Sequence, residues 1–151
     1  MSVFKKLNLK DQRQIVILNA PASFDPELRA LGGVTVLRKP PAGEIEFSLA
    51  FVTKQQELDS LAKSIAAKAK GDAVVWFAYP KGTSKKYKSE INRDHGWQVL
   101  GDLGFECVRG VAIDEDWSAA RFRRVEFIKV MKRSVKGALT ATGKSRTHKA
   151  P

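Results

Sequence analysis

TKQQELDSLAKSIAAKAKGDAVVWFAYP, Thr53 to Pro80, sets two kinds of periodicity side by side. Leu58, Leu61, Ala62, Ile65, Ala66 and Ala69 recur at i, i+3, i+4 and i+7, which is the apolar stripe of an amphipathic helix. Thr53 with Gln56 reads as the capping box that starts it. Lys68 and Lys70 suit its negative end, and Gly71 stops it. AVVWFAYP, Ala73 to Pro80, then has no polar face at all. A strand of that kind belongs in the middle of a sheet, with helices covering it on both sides.

Working outward from this pair, QIVILNAP (14–21) is a β-branched run that predicts a buried strand. SFDPELRAL (23–31) predicts a short helix with Asp25 as N-cap and Pro26 at its first position, ended by Gly32 and Gly33. VTVLR (34–38) and IEFSLAFV (45–52) are two more strands. Downstream, NRDHGWQVLGDLG (92–104) offers Asn92 or Asp94 as a cap, an apolar stripe through Trp97, Leu100 and Leu103, and Gly104 as a stop. FECVRGVAI (105–113) and ARFRRVEFIKV (120–130) are strands whose short connection implies an antiparallel hairpin. Strands alternating with helices predict a three-layer α/β domain: a mostly parallel sheet of about six strands with a C-terminal antiparallel hairpin.

The chain has 151 residues, 43% of them hydrophobic, enough for one core. The expected organisation is a single α/β domain over 1–133 and a flexible basic tail over 134–151. The start of the chain has charges at Lys5, Lys6 and Lys10, and no run approaches membrane-spanning length, so a cytoplasmic protein is expected. Cys107 is the only cysteine, and the two histidines, His95 and His148, lie far apart. That argues against a disulfide, a zinc site and a histidine-paired nucleophile. The net charge is +11, of which +4 lies in the tail, leaving +7 on the rest, a basic balance that suits an anionic partner such as nucleic acid.

In an open parallel sheet, ligands bind beyond the carboxyl ends of the strands. That edge would carry Asn19 to Asp25, Thr53, Pro80 to Lys88 and Asp114 to Ser118. The first of these turns, NAPASFDP, has no glycine, and Pro21 removes an N–H donor, so a dinucleotide or methyl donor held in the usual way is disfavoured. No motif identifies a cofactor. In PKGTSKK, Lys81, Gly82, Thr83, Ser84, Lys85 and Lys86 form a candidate anion site, since Gly82 admits close approach, the hydroxyls donate and the lysines supply charge. Tyr79 and Tyr87 beside them could stack bases. The plainer reading is a solvated loop. Asp114 and Glu115 could serve as acid–base groups, or could make a turn and neutralise Lys81 or Lys85. Trp97 and Trp117 read as packing residues.

KKLNLK (5–10) with VILNAP (16–21), AVVWFAYPK (73–81) and VAIDEDWSAARFRR (111–124) together resemble an uncharacterised bacterial family known as a domain of unknown function. The resemblance covers about 4–130. It implies a Rossmann-like domain similar to the later half of class I methyltransferases, with the final strand antiparallel beside the VVWFAYP strand. It implies no established activity. The matching positions are Asn19, Ala20, Pro21, Pro80, Lys81, Asp114, Glu115, Trp117 and Ser118. GTSKKYK after Lys81 is more lysine-rich than the family pattern. On these grounds the expected function is a non-catalytic binding module with a basic loop for an anionic ligand or nucleic acid. One alternative is a small or degenerate methyltransferase-like enzyme using Asp114 or Glu115, with its cofactor near Asn19, and another is a protein-interaction module.

Overall fold

A computed structural model describes residues 3–128. The expected tail, 134–151, lies outside the described residues, as does the end of the expected domain. In chain order the elements are α1 (Val3–Lys6), β1 (Gln14–Leu18), a 3-10 turn (Ala22–Phe24), α2 (Asp25–Arg29), β2 (Thr35–Leu37), β3 (Ile45–Phe51) and α3 (Gln55–Lys68). They continue with β4 (Ala69–Pro80), α4 (Gln98–Asp102), β5 (Phe105–Ala112), β6 (Trp117–Arg124) and a closing 3-10 turn (Val125–Phe127).

The six strands form one sheet in the order β2-β1-β3-β4-β6-β5. The first four are parallel, while β6 runs antiparallel to both β4 and β5. The last strand in sequence is therefore inserted beside the central β4, with Pro80 opposite Trp117 and Val75 opposite Phe122. The three-layer, Rossmann-like α/β architecture expected from the sequence is the one observed.

Alternation along the strands assigns the two cores. Ile15, Ile17, Phe47, Leu49, Phe51, Val74, Trp76, Ala78, Trp117 and Ala119 face one side, against Val3, Phe4, Phe24 and Leu28 of the short helices. Val16, Leu18, Ala50, Val75, Phe77, Ala120 and Phe122 face the other, against Leu58, Ala62 and Ile65 of α3 and Leu100 of α4. The apolar run at Val74–Ala78 is buried on both faces because β4 sits between two helical layers.

Four local readings need correction. The N-cap of α4 is Trp97, not Asn92 or Asp94. The N-cap of α3 is Lys54, not Thr53, and the side chain that accepts its N–H is that of Glu57, not Gln56. Asp25 lies inside α2, whose N-cap is Phe24. Gly71 does not stop α3; Ala69 is the C-cap, and Gly71 (φ 55°) is the third residue of β4, where its left-handed backbone suits glycine. Two arginine contacts hold that junction. Arg124 donates to the carbonyls of Ala66 and Ala69 at 3.0 and 2.7 Å, and Arg123 makes a two-point pair with Asp72 at 2.7 and 2.6 Å. Among the described residues no helix is long and apolar enough to cross a membrane.

Candidate functional site

The carboxyl ends of β1, β3, β4 and β5, together with the start of β6, bring Asn19, Thr53, Lys81 and Asp114 to one edge of the sheet, as the sequence placed them. Each turn there has its own chemistry.

After β1 the backbone turns at Asn19, which takes a left-handed φ of 58°. Asparagine tolerates that conformation better than other side-chain-bearing residues, so the sharp turn is made without glycine. Pro21 precedes the 3-10 turn, and Phe24, fully buried, closes it inward against Phe51 at 5.1 Å. The aromatic series continues from Phe51 to Trp117 (5.1 Å) and from Trp117 to Tyr87 (4.9 Å). Trp117 and Tyr87 thereby support the edge from beneath as packing residues.

The basic loop is tied down at its start. The backbone N–H of Lys81 donates to the Asp116 carbonyl (2.8 Å), and the Ser84 hydroxyl donates to Asp116 Oδ1 (2.8 Å). Ser84 Oγ in turn accepts from the N–H groups of Lys86 and Tyr87. Ser84, expected to donate to an anion, is thus spent on the loop itself. Gly82, Thr83, Lys85 and Lys86 are exposed, and Lys81 is half-buried. The Lys86 ammonium stands 5.6 Å from the centre of the Tyr87 ring. Tyr79 packs on Trp97 at 5.5 Å. The two tyrosines expected to stack bases are engaged within the protein, and the geometry lends a nucleic-acid partner no support.

Asp114 is a turn residue: its Oδ1 accepts from the N–H groups of Asp116 and Trp117 at 2.8 and 2.9 Å. Among the described residues no ion pair joins Asp114 or Glu115 to Lys81 or Lys85. The expected charge neutralisation is replaced by Asp116 holding Ser84, a contact the sequence reading did not name. Glu115 is exposed, with its carboxylate in solvent.

Thr53 belongs to the N-terminus of α3 more than to an open site. Glu57 Oε1 accepts from the Thr53 N–H, the Thr53 hydroxyl and the Lys54 N–H at 3.0, 3.2 and 3.1 Å. Burial pushes the Glu57 pKa up, but these hydrogen bonds and the Lys54 charge outweigh it and hold the carboxyl below its ordinary value. Gln55 then reaches across to the long connection after β4: its N–H donates to Glu90 Oε1 and its side-chain amide to the Gly96 carbonyl, both at 2.8 Å. Among the described residues no group of His, Cys, Asp or Glu is arranged to hold a metal ion.

No protein-family model matches the sequence, and no curated protein matches it. Solved structures do. The chain is similar to a SAM-dependent methyltransferase from Aquifex aeolicus, with a TM-score of 0.59 and 14% identity over 82% of this chain and 88% of that one. It is similar to the magnesium protoporphyrin IX methyltransferase of Synechocystis PCC 6803 with bound SAH (TM-score 0.53, 12% identity, 81% of this chain and 78% of that one). It also resembles the N-methyltransferase NodS of Bradyrhizobium japonicum WM9 (TM-score 0.50, 11% identity, 81% and 92%). At such identities the likeness establishes the fold. It also corrects the expected function: the structures that share this sheet are methyltransferases, which favours the enzyme alternative over a non-catalytic binding module. The likeness to one uncharacterised family reduces to the coarser statement that the domain is Rossmann-like and methyltransferase-like.

The Aquifex aeolicus structure is of a SAM-dependent enzyme, and the first edge turn of this chain tests whether such a donor fits. Its backbone course is right, since Asn19 turns where a glycine would. The donors are not: Pro21 has no N–H, and the residue that follows β2 is Arg38, which pairs with Asp25 at 3.6 Å, where a ribose would call for a carboxylate. The residues present do not fit the donor held in the customary way.

Proposed function

We propose that the protein is a small methyltransferase-like enzyme acting at the carboxyl edge of its sheet, between the Asn19 turn, Thr53 and the loops at Lys81 and Asp114. The observation that carries this reading is the placement of the final strand, β6, antiparallel between β4 and β5, in a sheet shared with methyltransferases of known structure. Of the two acids suggested by the sequence, Glu115 is the candidate acid–base group, because Asp114 is occupied by two backbone N–H groups. Lys81, Lys85 and Lys86 lie on the same edge and supply positive charge for an anionic portion of the acceptor, with the Thr83 hydroxyl beside them.

The mismatch at the Asn19 turn requires a donor pose that does not depend on a glycine cradle. Thermal melting with millimolar S-adenosylmethionine or S-adenosylhomocysteine tests the reading, since a ligand selective for the native state must raise the melting temperature. A rise with these ligands, absent with ATP and NADPH and reduced by Asn19→Asp, is the expected result. No rise at millimolar ligand overturns the reading.

A further inference from the structure

A groove of about 670 Å³ lies over the last two strands on the α3–α4 side of the sheet. It exists because the connection from β4 to β5 contains only the five-residue α4, whose Leu100 covers the sheet beside Phe105 and Phe122. Among the described residues no helix covers the carboxyl half of β5 or the amino half of β6 beside it. The volume falls in the range of about 300–1,000 Å³ typical of small-molecule sites.

Strand alternation and register fix which side chains face the groove. Across β4, β6 and β5, successive rows on this side are Tyr79–Ser118–Ala112, Phe77–Ala120–Gly110 and Val75–Phe122–Cys107. Arg109 and its register partner Arg121 alternate to the other face. The Gly110–Ala120 and Ala112–Ser118 pairs leave a floor without large side chains. With strands about 5 Å apart and rows about 7 Å apart, that floor has the footprint of a fused two-ring system. The ring of Tyr79, packed on Trp97, stands as one wall, and the Phe122–Cys107 row ends the strip.

The polar groups gather at the Tyr79–Ser118 row. The two residues are register partners, and among the described residues neither hydroxyl has a hydrogen-bond partner. Burial is the main cause that raises the Tyr79 pKa, so the phenol stays protonated as a donor. Arg93 and Asp94 line the same end, and both act on Tyr79, the first lowering its pKa and the second raising it. One charge of each sign at the rim favours a ligand without net charge. Two hydroxyl donors side by side suit a carbonyl oxygen with its two lone pairs, and the Asp94 carboxylate suits a neighbouring N–H. A carbonyl beside an N–H on a planar ring is a cyclic amide.

We infer that this groove binds an uncharged planar two-ring lactam, with the rings on the Gly110–Ala120 strip, the carbonyl at Tyr79 and Ser118, and the N–H toward Asp94. The inference does not depend on the activity proposed for the carboxyl edge.

Isoquinolone is the probe, followed by amide chemical shifts of the full chain. Its N-methyl derivative, which lacks the N–H, and the single-ring pyridone are the counterparts. Saturable shifts at Tyr79, Gly110–Ala112 and Ser118–Ala120 are expected with isoquinolone. Pyridone should bind about tenfold more weakly or worse, because it buries one ring fewer. Tyr79→Phe keeps the ring on Trp97 and should weaken isoquinolone binding by about three- to tenfold, the scale of one hydrogen bond. Gly110→Val should abolish binding by filling the strip. A Cβ at Gly110 meets nothing closer than the Ala119 carbonyl at 3.9 Å, so the fold tolerates a side chain there. Arg109→Gln, on the opposite face, should leave the affinity unchanged. No saturable shift at millimolar isoquinolone, equal binding of the N-methyl derivative, unchanged binding to Gly110→Val, or binding lost with Arg109→Gln would each overturn the inference.

Discussion

The two faces of the sheet are held by different means. On the α1–α2 side the helices are four and five residues long, too short to be stable on their own, and aromatic contacts do the holding: Phe4 on Phe24, Phe24 on Phe51, Phe51 on Trp117, Trp117 on Tyr87. On the other side the fourteen-residue α3 packs by its own stripe, and its first turn then ties down the irregular chain after β4 with polar bonds: Gln55 to Gly96 and Glu90, and Glu90 N–H back to the Thr53 carbonyl. A short helix needs large rings to stay on a sheet, whereas a long one has side chains to spare for the loops beside it.

The largest test of this contrast is on the aromatic face. Trp76 is fully buried and donates its indole N–H to the Leu7 carbonyl at 2.8 Å, fastening the residue that follows α1 to the central strand. Trp76→Ala should cost about 3–5 kcal/mol in urea denaturation. The more selective comparison is Trp76→Phe with Trp117→Phe. Both shed the same atoms from a buried site, but among the described residues the Trp117 Nε1 has no partner, so its removal ends an unmet donor instead of breaking a bond. The first substitution should exceed the second by about 1–3 kcal/mol. Equal costs would mean that the hydrogen bond at Leu7 does not hold α1.

The polar face is tested at Gly96, whose φ of 108° is strained for any side chain and whose added Cβ would stand 2.9 Å from Gln55 Oε1 and 3.3 Å from Ile91. Gly96→Ala should cost roughly 1–3 kcal/mol and should raise amide exchange through 88–97. Protection that falls elsewhere, with this segment unchanged, would show that the Gln55 bond is not what orders it.

The strands and α3 were legible because their apolar residues recur at periods of 2 and 3.6, and each of the two cores repeats that alternation. What escaped were features without a period. Ala69–Asp72 joins β4 although three of its four residues are exposed, held by pairing with Ile45 and by Arg123 and Arg124 from the far end of the chain. Trp117 to Ala119 opens β6, yet the acids before it read as a turn that ran on to Ala119. The edge residues Asn19, Lys81 and Asp114 were placed correctly, because strand ends follow from the fold. The contacts of Asp116 with Ser84 and of Gln55 with Gly96 were not, because each joins residues more than thirty positions apart.

The smallest expected effect concerns how α3 begins. Because hydrogen bonds from Thr53 and Lys54 hold the Glu57 pKa in the folded chain below its ordinary value, the folded state binds the proton less readily than the unfolded one. The stabilisation is therefore present above the ordinary glutamate pKa and is lost as pH falls through the lowered, folded value. Glu57→Gln keeps the shape and can still accept the N–H bonds, but it cannot titrate. The melting temperature of the unmodified protein should fall more steeply than that of the variant as the solution is acidified through this window, with the two curves parallel at neutral pH. The carboxylate is largely open to water, so the difference should be modest and should shrink with added salt. Parallel curves throughout would mean that the N-terminus of α3 is held by its packing against β3 and β4 alone, and the polar face would then differ from the aromatic one only in the segment around Gly96.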